Sequence, residues 1–295
     1  MTNARHETDQ ARALAADVGP AGRTQSETQP SHDGTDREWT HLHDDSGFRA
    51  LLAEATADPA VEGLILTGSM AAGTGTPWSD YDVRLIVRDD ASEEVVQRYA
   101  DAMYPLVDLV ILTHSEFAVY ARWASPEAWD RPTFTHAQVL LDHSGTIQPL
   151  VDAKGRLPAD QQAAFAAAML DAFINGVYRA LKCQRKGNTL CTRLEATEAV
   201  SYALHVLFAW EGRLKPYPGW LEYELQATPS TTLPLASNEL LCWLTRIVAE
   251  GDVAALQALF ATILEVAQER GHDDVIVSWG EAIAWMQAST TQRAG

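Results

Sequence analysis

One stretch of the sequence, from Val61 to Asp82, constrains the fold of this chain more than any other. It begins with an apolar run that stops at Gly68-Ser69, as a buried strand does when it enters a tight turn. Glycine has no Cβ to block a ligand, and the amides and hydroxyl that follow it can donate hydrogen bonds to anionic oxygens. The sequence therefore predicts a phosphate-binding turn at Gly68 and Ser69.

The same stretch ends by entering a second strand, since residues 81–87 alternate between the two faces of a sheet. Asp80 and Asp82 are two residues apart, so their carboxylates project to one side and repel each other unless a cation lies between them. Hard oxygen ligands of this kind suit Mg²⁺. The alternative is a solvated turn, in which an Asp-x-Asp pair is common and has no catalytic role.

The combination of strand, Gly-Ser, loop and Asp-x-Asp resembles the signature of the nucleotidyltransferase superfamily that includes DNA polymerase β and the antibiotic nucleotidyltransferases. That superfamily also has a third carboxylate on a later strand, and the resemblance assigns this position to Asp108, in the apolar run 106–112. It implies that Asp80, Asp82 and Asp108 are the catalytic and metal-binding residues. Two Mg²⁺ ions and an NTP, with ATP favoured, are the implied cofactors and co-substrate.

Periodicity divides the chain into three parts and predicts an α+β fold. Residues 1–37 have hardly any large apolar side chains, so we expect a disordered tail. Residues 38–150 alternate strands with helices, which predicts a small mixed sheet, and the resemblance implies that this part is the nucleotidyltransferase domain. Residues 151–295 change to a period of about 3.6 and predict an all-helical bundle. The helices of the bundle are predicted at 158–187, 192–211, 237–249, 252–270 and 274–288.

A basic segment interrupts the acidic background of the helical part. Residues 179–193 contain no Asp or Glu, although the whole chain has 40 acidic and 22 basic side chains. Arg179, Lys182 and Lys186 are spaced to line one helix face, where a triphosphate is the obvious neutralising anion. The alternative is a solvated basic face that is paired with acidic side chains elsewhere. We expect these three residues to bind the nucleotide together with Gly68 and Ser69.

Composition limits the choice of partner and compartment. The formal net charge of -18 opposes attraction to nucleic acid or to an anionic membrane, and weakly favours a small cationic acceptor. No apolar stretch is long enough to span a bilayer and no secretion signal is visible, so we expect a cytoplasmic protein. The three cysteines, Cys183, Cys191 and Cys242, form no Cys-x-x-Cys and are predicted to be reduced core residues.

The resemblance therefore predicts an enzyme that transfers a nucleoside monophosphate, most simply AMP, to a hydroxyl of a small molecule and releases pyrophosphate. The resemblance favours an antibiotic of the aminoglycoside type as the acceptor, because antibiotic nucleotidyltransferases belong to this superfamily. They deprotonate the acceptor hydroxyl with a carboxylate, and the sequence leaves that choice open among Asp108, Glu195 and Glu198. Two alternatives remain: nucleotidylation of a protein or tRNA by a toxin-like member, and a non-catalytic nucleotide-binding module.

Overall fold

The computed structural model describes residues 45–288, and these divide into two compact units. The first unit runs to Gly155 and the second begins at Arg156. The predicted tail, residues 1–37, lies outside the described residues, as does the C-terminal end beyond residue 288. The assignment of residues 38–150 as a nucleotidyltransferase domain and of residues 151–295 as a helical domain stays a prediction.

The first unit is a small sheet with short helices. Its elements are α1 (Ser46–Ala57), β1 (Val61–Thr67), α2 (Gly68–Ala72), β2 (Tyr81–Val87), α3 (Glu93–Asp101), β3 (Val107–Thr113), α4 (His114–Val119), a 3₁₀ turn (Ala128–Phe134), β4 (Gln138–Asp142) and α5 (Ile147–Lys154). Local sequence explains several boundaries. Thr113 and Glu116 form a reciprocal capping box that starts α4, and Gly73 ends α2 in the left-handed region.

The four strands of this unit lie in the order β3-β2-β1-β4. Strand β1 is antiparallel to β2 and β4, while β2 is parallel to β3, so the sheet is mixed as the sequence predicts. Apolar side chains cover both faces of its centre. Leu64, Leu66 and Leu85 pack on one face, and Ile65 and Ile86 pack on the other. The central strands β1 and β2 are therefore buried on both faces over most of their length.

The second unit is helical. Its elements are α6 (Gln162–Arg185), α7 (Thr189–Trp210), a 3₁₀ turn (Pro218–Trp220), α8 (Leu221–Ala227), α9 (Ser237–Glu250), α10 (Val253–Glu269), α11 (Asp273–Ser278) and α12 (Glu281–Gln287). The long helices α6 and α7 pack closely, and Gly176 permits this because a Cβ there would lie 2.9 Å from the Cβ of Ala199. The predicted α+β class, a mixed-sheet unit followed by a helical one, is confirmed.

Several element predictions need correction. The loop predicted after Gly68-Ser69 begins with the short helix α2, since Met70, Ala71 and Ala72 are good helix formers. The single helix predicted at 274–288 is two helices, because Gly280 has a φ of 52° and breaks the hydrogen-bond ladder. Helix α8 and the 3₁₀ turn at 128–134 were not predicted.

The prediction for the cysteines is wrong. Cys183 and Cys191 form a disulfide, and Cys242 is exposed. The sequence argument considered only Cys-x-x-Cys spacing, whereas these two residues lie at facing helix ends, with a Cα–Cα distance of 5.6 Å across the α6–α7 turn. Closing so short a loop contributes about 2.5 kcal/mol in the chain-entropy treatment. No helix within residues 45–288 is long and apolar enough to cross a membrane.

Candidate active site

Three predicted site residues lie at one end of the sheet. Strand register places Thr67 of β1 opposite Asp82 of β2, and Asp82 opposite Asp108 of β3. Residues opposite each other in neighbouring strands share a face of the sheet. The two carboxylates that the sequence assigned to separate strands are therefore neighbours, and Asp80 precedes β2 by one residue.

Gly68 is the first residue after β1 and contacts the acidic group directly. Its φ is 71°, and a Cβ built on it would overlap the Asp82 Oδ2. The sequence predicted that the missing side chain of Gly68 leaves room for a ligand. In the structure that room is taken by the Asp82 carboxylate, so glycine is required here both by the backbone conformation and by the close approach.

The three carboxylates interact electrostatically. Burial raises the pKa of the Asp82 carboxyl above its ordinary value, and the negative charges of Asp80 and Asp108 raise it further. Arg84 acts in the opposite direction and lowers this pKa. Asp80 and Asp108 are exposed, whereas Asp82 is only partly exposed. The Asp82 carboxyl therefore lies among like charges at this end of the sheet.

The donor set suits a divalent cation, although the protein alone does not complete a coordination shell. Within residues 45–288 no group of three or more His, Cys, Asp or Glu side chains is arranged to hold a metal ion. Mg²⁺ commonly takes only one or two carboxylates from a protein and completes its shell with water and substrate phosphates. The Asp82 carboxylate packs against Gly68, and its pKa is raised. Both features fit a carboxylate that binds a cation together with such a substrate.

A buried ion pair is hydrogen-bonded to the end of β1. Arg84 is 7% exposed and Asp130 is 4% exposed, and their side chains form an ion pair. The Arg84 Nη1 donates a 2.5 Å hydrogen bond to the Thr67 Oγ1, which in turn donates to the Asp82 carbonyl oxygen at 3.2 Å. This chain of bonds connects the buried pair to the backbone of Asp82.

Aromatic rings enclose the guanidinium of Arg84. Its Cζ lies 4.8 Å from the ring centroid of Phe134, and the Tyr120 hydroxyl donates a 2.8 Å hydrogen bond to Asp130. Burial and the charge of Asp130 raise the pKa of Tyr120 to about 12, so its hydroxyl stays a donor at neutral pH. Sequence analysis missed this network. The available signal was an arginine at an inward position of an otherwise apolar strand, which requires a buried partner.

The predicted nucleotide-binding residues of the helical unit have different environments. Arg179 donates a 2.5 Å hydrogen bond to Glu195, so its charge is already paired. The Lys182 Nζ lies 5.0 Å from the ring centroid of Tyr178. Lys186 is exposed at the C-terminal end of α6. The predicted basic face therefore retains two lysines whose charge is not engaged with a carboxylate of the described residues.

The two helical candidates for a general base also differ. Glu195 accepts the bond from Arg179 through Oε1, whereas its buried Oε2 accepts no hydrogen bond. Glu198 accepts a 3.1 Å bond from the Tyr202 hydroxyl. Both glutamates belong to the helical unit, whereas Asp108 belongs to the sheet unit. All three stay candidates for the general base.

A mixed sheet with a Gly-Ser turn beside an Asp-x-Asp strand is similar to a nucleotidyltransferase domain, and a comparison with family models agrees. Residues 50–121 match the family model described as nucleotidyltransferase domain. This match includes Gly68, Ser69 and all three aspartates, and covers about a quarter of the chain. It supports transfer of a nucleoside monophosphate in general and leaves the substrates open.

Whole-chain comparisons are less informative. A comparison with curated protein sequences finds no match. Among solved structures, the chain is similar to a nucleotidyltransferase-like protein from Exiguobacterium sibiricum 255-15, with 11% sequence identity and a TM-score of 0.40. The similarity covers 82% of this chain and 77% of that one. A likeness this distant carries no argument about substrate or mechanism.

Proposed function

We propose that this protein transfers a nucleoside monophosphate from an NTP, with ATP as the first choice, to a hydroxyl of a small molecule and releases pyrophosphate. One observation carries the proposal. The Asp82 carboxylate is held against Gly68 at the start of β2, within electrostatic reach of Asp80 and Asp108. Three carboxylates at one end of the sheet repel one another, and a divalent cation between them removes that repulsion.

Asp80, Asp82 and Asp108 are the proposed ligands of two Mg²⁺ ions. When bound, these ions lower the pKa of the attacking hydroxyl and neutralise charge on the phosphates. The protein's own contribution is to hold the carboxylates in place. Strand pairing fixes Asp82 opposite Asp108, and the bond from Thr67 fixes the carbonyl of Asp82.

The remaining proposed contacts bind the triphosphate. We assign the β- and γ-phosphates to the backbone at Gly68 and to the Ser69 hydroxyl, which follows β1 directly. Lys182 and Lys186 supply positive charge for the leaving pyrophosphate, an interaction that strengthens as negative charge grows in the transition state. Arg179 contributes only if it exchanges Glu195 for a phosphate, so its proposed role is secondary.

The acceptor is proposed to be a small hydroxylated cation, which an acidic protein attracts from a distance. Aminoglycoside-like antibiotics have this chemistry, and their modification would confer antibiotic resistance. A cytoplasmic location, where NTPs are available, is part of the same proposal. Asp108, Glu195 and Glu198 are the proposed candidates for the base that accepts the proton of the acceptor hydroxyl.

A nucleotide and acceptor screen tests the proposal. The purified full chain is incubated with each of the four NTPs, Mg²⁺ and a panel of aminoglycosides, and pyrophosphate release is measured. Transfer of labelled nucleotide to a small product supports the proposal. Label that appears on protein or tRNA in an added lysate points instead to a macromolecular target. Absence of pyrophosphate release under all of these conditions, together with binding of an NTP, indicates a non-catalytic nucleotide-binding module.

A further inference from the structure

A second polar cluster lies in the helical unit, at the connection that follows α7. Lys215 folds back toward that helix, and its Nζ donates a 2.8 Å hydrogen bond to the Ser201 Oγ. His205 lies one helical turn after Ser201, with its ring centroid 5.6 Å from that of Phe165. All three polar residues are partly buried.

The ammonium group of Lys215 has no counterion within residues 45–288. Its hydrogen-bond partner is a neutral hydroxyl, and burial lowers the pKa of the lysine. Arg213, two residues earlier, shows the usual arrangement, since it donates to Glu211 at 3.1 Å and to Glu224 at 2.7 Å. An uncompensated, partly buried cation is unfavourable, and it is unexpected in a chain with 40 acidic side chains.

The cluster has more donors than acceptors. An ammonium has three N–H groups and Lys215 uses one of them on Ser201, whose hydroxyl proton remains available for another acceptor. Burial, and then the charge of Lys215, lower the pKa of His205 to about 3. The imidazole is therefore neutral at physiological pH, and it adds no second positive charge to the cluster.

We propose that Lys215 and Ser201 form a binding site for a small oxyanion, a phosphate or carboxylate group of a ligand. One negative charge neutralises Lys215, and the free protons of the ammonium and hydroxyl bond its oxygens. The proposed nucleotidyl transfer assigns no role to these residues, so the anion site does not rest on the proposed function.

Calorimetric titration of the full chain with inorganic phosphate and with acetate, at constant ionic strength set by chloride, tests the proposal. We expect saturable binding of at least one of the two anions. Phosphate binding alone identifies a phosphate site, and acetate binding alone identifies a carboxylate site. Binding of both indicates a general oxyanion site. If neither anion binds, the proposal is wrong.

Variants show whether the bound anion is at Lys215. Lys215→Met should weaken binding about tenfold or more, since a charge-assisted hydrogen bond is lost. Lys215→Arg should retain binding. Arg246→Met is the matched control, because it removes the same charge from an arginine already paired with Asp252 at 2.5 Å, and it should bind like the wild type. Unchanged binding in Lys215→Met overturns the proposal.

If Lys215→Met does not fold, the variant Ser201→Ala still tests the proposed anion site. This variant leaves the ammonium and shortens the residue by only one oxygen, so the helix should be preserved. It should weaken anion binding several-fold, because one donor is removed. If Ser201→Ala binds phosphate and acetate as the wild type does, the anion site does not include this cluster.

Discussion

The Asp82 carboxylate lies against the Cα of Gly68, in the space that any side chain at position 68 would occupy. This contact joins the end of β1 to the start of β2 and sets the position of the group that the proposed chemistry needs most. Gly68 therefore does more than permit a turn, because it lets a charged side chain pack directly on the backbone.

Gly68→Ala tests this relationship, with Gly73→Ala as a matched control. Both glycines have a φ of 71°, but a Cβ at Gly73 meets nothing within 4 Å. Gly73→Ala should lower the free energy of unfolding by about 1 to 2 kcal/mol, the cost of a left-handed alanine. Gly68→Ala should lose about 1 to 3 kcal/mol more from steric overlap. Equal losses in urea denaturation would show that Asp82 does not pack on Gly68.

The raised pKa of Asp82 predicts that its charge destabilises the metal-free fold. The folded-state pKa lies above the unfolded value, so the cost is absent below about pH 4 and is fully present above the folded pKa. Asp82→Asn, which resembles the protonated form, should therefore melt higher than the wild type at pH 7. This difference should shrink as the pH falls toward 4. Asp101→Asn, on the exposed end of α3, should change the melting temperature little at either pH.

The Arg84–Asp130 pair predicts a large stability loss when one partner is removed. Arg84→Met leaves the buried Asp130 carboxylate without its cation, which should cost about 3 to 5 kcal/mol. Arg88→Met breaks the exposed pair with Asp90 nearby and should cost less than about 1 kcal/mol. The double variant Arg84→Met/Asp130→Asn should recover much of the first loss. Similar losses for Arg84→Met and Arg88→Met in chemical denaturation would contradict a buried pair.

The variant Lys182→Ala distinguishes a role of this lysine in catalysis from a role only on the protein surface. Lys182→Ala removes a charge-assisted bond to phosphate, so kcat/KM for the NTP should fall about 10- to 150-fold. Stability should fall by only about 0.5 to 1 kcal/mol, the value of its contact with Tyr178. Unchanged kcat/KM would restrict the phosphate site to Gly68, Ser69 and the metal ions, and the basic face would have no part in transfer.

The sequence predicted the structure best where a run of apolar residues is followed by a short motif. The apolar runs predicted β1, β2 and β3 closely, and the resemblance assigned the third carboxylate to Asp108, which the strand pairing places opposite Asp82. These features are local, so a single stretch of sequence contains them.

Features that depend on how the folded chain packs were not predictable in the same way. Arg84 and Asp130 are far apart in the sequence, and only the folded chain shows that they neutralise each other. The pairing of Cys183 with Cys191 depends on how tightly α6 and α7 turn, and the pairing of Arg179 with Glu195 depends on which faces of those helices meet. In each case the partner is chosen by packing, which spacing in a linear sequence does not specify.

The measurement that tests the central claim most directly is the rate of pyrophosphate release by Asp82→Asn compared with the wild type, under the NTP and acceptor conditions that give turnover. The substitution keeps the shape of the side chain and removes a charge that the cations need. Our account predicts a rate at least about 10³-fold lower, since two-metal transfer depends on this carboxylate. Turnover by Asp82→Asn close to that of the wild type would contradict it.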